Sequence, residues 1–330
     1  MDMQGCRRAV ALDLEKLFPG REAVSPRIFT DTSDFYSINS GDVVWLSPEH
    51  RYLIGNNTRE GRFGLDDEVK YWVKRARNLV TGERAILKLV FHERFVTRIG
   101  GVEIECFRSP GKEARILELV RGKPSFMQGY PLTDEAGNLV RVLDVIAGRN
   151  LQDEITGIEG GHERYFSETF PYVFRKFEGA VEAISLLHDH REKHGDVRRD
   201  HIMVEACTGG WRWIDFDYNF LHVENIYSLD VVGLGNILVF LAGKGDVIVS
   251  DIKRDNPAVF DSLYWEDLSL VWQNRLANLG KLYPYIPGSL NRILTQFSNE
   301  ASLTYRTAGE MLEDLRAAEA DLPLPQPSEA

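Results

Sequence analysis

Three cysteines among 330 residues, Cys6, Cys106 and Cys207, are too few and too scattered for a disulfide framework or a CxxC metal site. A reducing cytoplasm is therefore the expected compartment. Long apolar runs are also missing: the most apolar stretch, Val231 to Ala242, is broken by glycines and Asn236 and falls short of the ~20 residues a membrane span needs. The opening MDMQGCRRAV has no apolar core of the signal-peptide kind, so nothing marks export. Positive charge is outnumbered as well. A formal charge of −11, from 39 Lys+Arg against 50 Asp+Glu, argues against nucleic acid or an anionic membrane as a main partner, while leaving room for a local basic site.

What is present is an ordinary globular composition, 43% hydrophobic and 27% charged, on a chain long enough for one large or two ordinary domains. No internal repeat is visible, and the one biased segment is the tail LPLPQPSEA. The first ~40 residues carry weak signals, with one short helix around Leu12 to Phe18. From Asp42 the texture is β: DVVWL, then VKYWVKRA and RAILKLVF about the turn NLVTGE, which predicts a hairpin. KEARILELVRG follows helical spacing and ends at Gly122, and SFMQGYPL with LVRVLDVI predicts a second hairpin about DEAGN. The second half turns helical. PYVFRKFEGAVEAISLLHDH keeps the apolar stripe Val173, Phe177, Val181, Ile184 and Leu187, and further helices are expected in SLDVVGLGNILVFLA, SLVWQNRLANLG and RTAGEMLEDLRAAEA.

Between the long helix and a short hairpin, HIMV with WRWIDFD, lies the loop HGDVRRDHIM. Asp196 and Asp215 are 19 positions apart, and the hairpin folds them back to one edge with Arg198 beside them. Two converging carboxylates and a cation suit phosphoryl transfer: one orients and deprotonates a hydroxyl, the other holds a metal, and the cation balances charge. Lys88, a charge among apolar residues in RAILKLVF, reads on its own as a snorkelling strand lysine.

HGDVRRDH resembles the catalytic loop of protein kinases and kinase-like phosphotransferases, and IDFD resembles their metal-binding D-F-G. The likeness runs in order over roughly residues 50 to 316. It implies an α+β, two-lobed protein-kinase-like fold: an extension over residues 1–41, a strand-rich N-lobe with one main helix over 42–147, a helical C-lobe over 148–320, and a disordered tail over 321–330. It implies ATP with Mg²⁺ or Mn²⁺, and transfer of the γ-phosphate to a hydroxyl. The implied catalytic set is Asp196 as base, Arg198 near the γ-phosphate, Lys88 on the α/β-phosphates and Glu113 positioning Lys88. Glu113 is preferred over Glu118, and a solvated helix acid is the plain alternative.

Asp215 and His201 are the implied metal ligands; Gly61, Phe63 and Gly64 the phosphate loop; Asp144 and Ile146 the backbone that meets the adenine; Met203 its apolar floor. Asp230 reads as an anchor of the catalytic loop or as an N-terminal helix acid. Three departures stand out. His201 occupies the place of the second-metal Asn, as in macrolide phosphotransferases; Arg59 occupies that of the first loop glycine; and only 12 residues separate Asp215 from Ser228, with no A-P-E triplet. The acceptor is expected to be a protein Ser/Thr, with a small-molecule hydroxyl and a nucleotide-binding pseudokinase scaffold as the alternatives.

Overall fold

The computed structural model describes residues 3–20, 25–60, 68–99, 102–222, 225–299 and 305–323. The chain divides into two compact units, one of Met1–His92, Pro110–Gly122 and Met127–Ile146, the other of Glu93–Ser109, Lys123–Phe126 and Ala147–Ala330. Strands dominate the first and helices the second, the expected α+β kinase-like class.

The first unit contains strands β1 (Ile28–Phe29), β2 (Val43–Trp45), β3 (Arg51–Glu60), β4 (Glu68–Asn78), β5 (Arg84–Lys88), β8 (Gly129–Thr133) and β9 (Leu139–Asp144). They form one sheet in the order β1-β2-β3-β4-β5-β9-β8, antiparallel except for β1 with β2. Both expected hairpins are present. The β4–β5 turn closes on Gly82 at φ +79°, a left-handed conformation that favours glycine, while the Asn78 side chain accepts from Val80 N at 2.8 Å.

Every residue of β2 is buried, because both faces of the sheet are covered there. Val44 joins Tyr52, Ile54, Leu87, Leu89, Val140 and Val142 on one side. Val43 and Trp45 point the other way, onto Cys6 and Val10 of helix α1 (Met3–Leu17). So the weak N-terminal signals conceal a 15-residue helix that completes the core. Lys74 of β4 is fully buried and donates to the carbonyls of Phe35 and Ile38 at 3.0 and 2.7 Å, which fixes the loop before β2. Burial lowers its pKa to about 8. Helix α2 (Pro110–Leu119) begins at a proline, where no N–H is lost, and buries Glu113, Ala114, Ile116 and Leu117.

The second unit carries two three-stranded sheets. One pairs β6 (Arg94–Ile99) and β7 (Val102–Arg108) with β13 (Tyr218–Leu221); the other joins β10 (Gly148–Asn150), β11 (Ile202–Glu205) and β12 (Trp211–Trp213). Its helices are α3 (Leu151–Thr156), α4 (His162–Arg164), α5 (Phe170–Asp189), α6 (Ser228–Ala242), α7 (Val249–Asp255), α8 (Pro257–Phe260), α9 (Gly288–Thr295) and α10 (Ala308–Glu319). The stripe expected on α5 is its buried face. Helix α6 is buried nearly all round, and its glycines allow close approach: a Cβ on Gly235 would sit 2.1 Å from the Phe297 ring.

One element is missed by the sequence and one expectation fails. The β6–β7 hairpin was not anticipated between Lys88 and α2. The helix expected in SLVWQNRLANLG is absent except for a single 3₁₀ turn, Leu279–Lys281. There Asp267 accepts from Tyr264 N, Asn278 Nδ2 and Lys281 Nζ at 2.8, 2.7 and 2.6 Å, and its carbonyl takes the N–H groups of Ala277 and Asn278. One aspartate thereby offers this segment a better set of partners than a helix would.

If α1 is part of the sheet's core, Val10→Asp should cost about 3 kcal/mol of unfolding free energy, since it buries an unpaired charge beside Trp45. Chemical denaturation followed by Trp fluorescence measures this. A loss below about 0.5 kcal/mol, the range of surface substitutions, would show that α1 is not packed there.

Candidate active site

Lys88 closes β5 at a buried position, and its Nζ donates to Glu113 Oε1 at 2.9 Å. The other oxygen of Glu113 accepts from Arg141 Nε at 3.0 Å. Arg141 is the register partner of Lys88 across β5 and β9, so two like charges face each other directly. Glu113 lies between them and removes the repulsion; Arg141 also donates to the carbonyls of Leu89 and Leu139. All three side chains are almost wholly buried. Glu118, the rejected alternative, pairs with Arg121 at the surface. Arg141 was missed by sequence reasoning, although a charge at an inward position of LVRVLD is a signal.

In the second unit the loop after α5 is held by the buried carboxylate of Asp230, in the first turn of α6. Its oxygens accept from His194 N at 2.7 Å and Gly195 N at 2.8 Å, and His188 Nε2 lies at 3.2 Å. Gly195 has φ +88°, which a glycine takes at no steric cost. Asp230 is thus an anchor of the loop. Burial alone would raise its carboxyl, but the His188 hydrogen bond and the Gly195 N–H hold it below the ordinary aspartate range. Gly233, one turn on, lets the loop seat: a Cβ there would lie 2.4 Å from the carbonyl oxygen of Val197.

The β11–β12 hairpin, registered through Ile202 with Trp213, folds Asp215 back toward Asp196. The His201 ring bridges them. Its Nδ1 lies 3.6 Å from Asp196 Oδ2 and its Nε2 3.6 Å from Asp215 Oδ2. Both distances are too long for hydrogen bonds. Closer partners satisfy the ring: the Asp196 carbonyl oxygen at 2.9 Å from Nδ1 and Arg198 Nη2 at 2.9 Å from Nε2. Arg198 Nη2 also donates to Asp200 Oδ2 at 2.8 Å, and its Nε is 3.7 Å from Asp196 Oδ1. Arg199 turns away, bidentate on Asp246 at 2.7 and 2.9 Å. Burial lifts the Asp196 carboxyl above the ordinary aspartate range, with Asp215 and Asp200 adding to the rise and the Arg198 guanidinium opposing it.

Asp215 has φ +68°, a left-handed backbone uncommon outside glycine and a strain that functional sites often store. Behind it, Asp217 stands where the resembling motif has glycine. Its carboxylate takes Arg108 Nη1 at 2.9 and 2.8 Å, while Arg108 Nε donates to Glu93 at 3.0 Å and the guanidinium lies 4.0 Å from the Tyr218 ring centre. This buried pair ties the segment after Asp215 to β7, and sequence reasoning did not find it.

Asp144 ends β9 with its N–H given to the Gln128 carbonyl at 3.0 Å; Ile146 follows it half-buried, and Met203 lies half-buried on β11. Gly61, Phe63 and Gly64 fall outside the described residues, and Arg59 lies in β3 opposite Val69. Among the described residues no group of three or more His, Cys, Asp or Glu side chains is arranged to hold a metal ion. Of the expected metal ligands, Asp215 offers the oxygen donors that Mg²⁺ and Mn²⁺ accept. No helix of the described residues is long and apolar enough to cross a membrane.

No protein-family model matches the chain. It is 25% identical over 212 residues to a putative ribosomal protein S6 kinase alpha-2 of Caenorhabditis elegans, covering 63% of this chain and 25% of that protein. It is 24% identical over 157 residues to the death-associated protein kinase dapk-1 of the same organism, covering 48% of this chain and 10% of that one. It is 25% identical over 177 residues to CBL-interacting protein kinase 1 of Oryza sativa subsp. japonica, covering 53% of this chain and 34% of the relative. Fold and matches together support a protein-kinase-like superfamily in the broad sense. The chain spans about a third or less of the length of these relatives.

Two outcomes follow from this geometry. Because folding favours the ionised form of Asp230, its stabilisation is complete above about pH 4, the ordinary aspartate value, and is lost as the pH falls through its lower folded-state value. Asp230→Asn should therefore cost about 3 kcal/mol at pH 7 and progressively less below pH 4, measured by urea denaturation at a series of pH values. A penalty independent of pH would reject the ionised anchor. Arg108→Met should cost about 3 kcal/mol or more by stranding Asp217, and adding Asp217→Asn should recover most of it. Strictly additive losses would mean that the two do not act as a pair.

Proposed function

We propose that this chain is an ATP-dependent phosphotransferase that moves the γ-phosphate to a hydroxyl, with a protein serine or threonine as acceptor. The reading is carried by one observation: the carboxylates of Asp196 and Asp215 flank a single imidazole, with the Arg198 guanidinium beside them. Asp196 orients the acceptor hydroxyl and takes its proton. Its raised pKa makes its carboxylate a stronger base than that of an ordinary aspartate. Asp215 holds the divalent cation, its carboxylate aimed by the left-handed backbone. A bound Mg²⁺ or Mn²⁺ supplies charge neutralisation on the phosphate oxygens.

Lys88 neutralises the α/β-phosphates, and Glu113, braced by Arg141, sets its position. Arg198 balances charge on the group in transfer. In the same reading, Gly61, Phe63 and Gly64 cover the phosphates, Asp144 and Ile146 offer backbone groups to the adenine edge, and Met203 is its apolar floor. A second reading, a small-molecule hydroxyl as acceptor, is favoured by β13: residues 218–221 pair with β7 instead of extending into a segment that would present a peptide.

The test is incubation with γ-labelled ATP and Mg²⁺ or Mn²⁺. Label on protein supports the first acceptor, and label on a metabolite from an added extract the second. Asp196→Ala should lower turnover about 10²- to 10⁴-fold with ATP binding retained. The acid limb of kcat/KM should lie above about pH 4, because Asp196 must be ionised to act. A wild type that binds ATP without transferring label would instead be a scaffold.

A further inference from the structure

His201 stands five residues after Asp196, where the resembling kinases place an asparagine on a second metal ion, and its hydrogen bonds define what it can do there. A backbone carbonyl only accepts, so the 2.9 Å contact of Nδ1 with the Asp196 oxygen places the ring proton on Nδ1. A guanidinium only donates, so the 2.9 Å contact of Arg198 Nη2 requires the lone pair on Nε2. The two partners independently select the same tautomer. With the proton on one nitrogen and the lone pair of the other given to Arg198, no ring electron pair remains for a cation, and the ring is only 3% exposed, which blocks reorientation toward a new ligand.

The same guanidinium bonds Asp200 at 2.8 Å and lies 3.7 Å from Asp196. It is a fixed positive charge among Asp196, Asp200 and His201, and the Asp215 carboxylate is of the oxygen-donor kind a hard cation prefers. We propose that this chain uses one divalent cation, held by Asp215, and that the Arg198 guanidinium occupies the place of a second, with His201 as its acceptor and not as a metal ligand. This rests on the phosphotransferase reading above. It predicts that the site's own cation needs only oxygen donors, so Mg²⁺ serves as well as Mn²⁺.

Two measurements test it. The first needs no nucleotide: ¹⁵N spectra of the histidine-labelled chain, with the His201 signals assigned through His201→Gln, should show Nδ1 protonated and Nε2 unprotonated. The opposite tautomer overturns the proposal. The second counts Mn²⁺ by electron paramagnetic resonance at saturating non-hydrolysable ATP analogue. Wild type should bind one Mn²⁺ per nucleotide and Arg198→Met two, because the freed Nε2 becomes a ligand; Arg198→Met with His201→Ala should return to one. Two Mn²⁺ in the wild type would overturn this proposal and leave the phosphotransferase reading standing. A chain that bound no nucleotide would remove both.

Discussion

A single buried carboxylate sets the geometry of the candidate site. Asp230 receives two consecutive N–H groups, those of His194 and Gly195, and so dictates where the loop leaves the helical core. Those N–H groups point inward at a turn that offers them no strand or helix partner, and a buried donor without a partner would cost on the order of 1 to 3 kcal/mol. The aspartate removes that cost. It in turn is held by His188, whose other ring nitrogen accepts from Ala308 N at 3.1 Å at the start of α10. The position of Asp196 is thus inherited from the packing of three helices together with the left-handed Gly195 of the loop.

The strand-rich unit shows the same economy with opposite charges. Lys88 and Arg141 are forced together by the register of β5 and β9, and Glu113 is the one anion that both share. Buried ion pairs gain little net stability over apolar replacements, so retaining three charges here is better understood as fixing the direction of the lysine ammonium. A lysine held on one side by a carboxylate cannot sweep its four-carbon stem freely.

Much of this was legible in the residues alone. β-branched and aromatic residues in VKYWVKRA and RAILKLVF about the Gly82 turn gave the hairpin, the 3.6-residue stripe gave α5, and the spacing of Asp196 and Asp215 about a hairpin gave their convergence. What was not legible depends on partners distant in sequence. Val43 and Trp45 look like half of a strand until α1 covers them. Ser269 to Gly280 has helical spacing, but Asp267 competes for its backbone. Arg108 and Asp217 are 109 positions apart, and no local pattern links them. Likewise, the kinase resemblance implies a metal position at His201, while only the direction of its two hydrogen bonds reveals which of its nitrogens carries a proton.

The pairing of β13 with β7 bears on control. Residues 216–227 contain no serine or threonine, and Tyr218 is locked under Arg108 in the strand. After Asp215 the chain is thus stitched into a sheet over residues 218–221, where it offers no hydroxyl of the serine or threonine kind whose modification could release it.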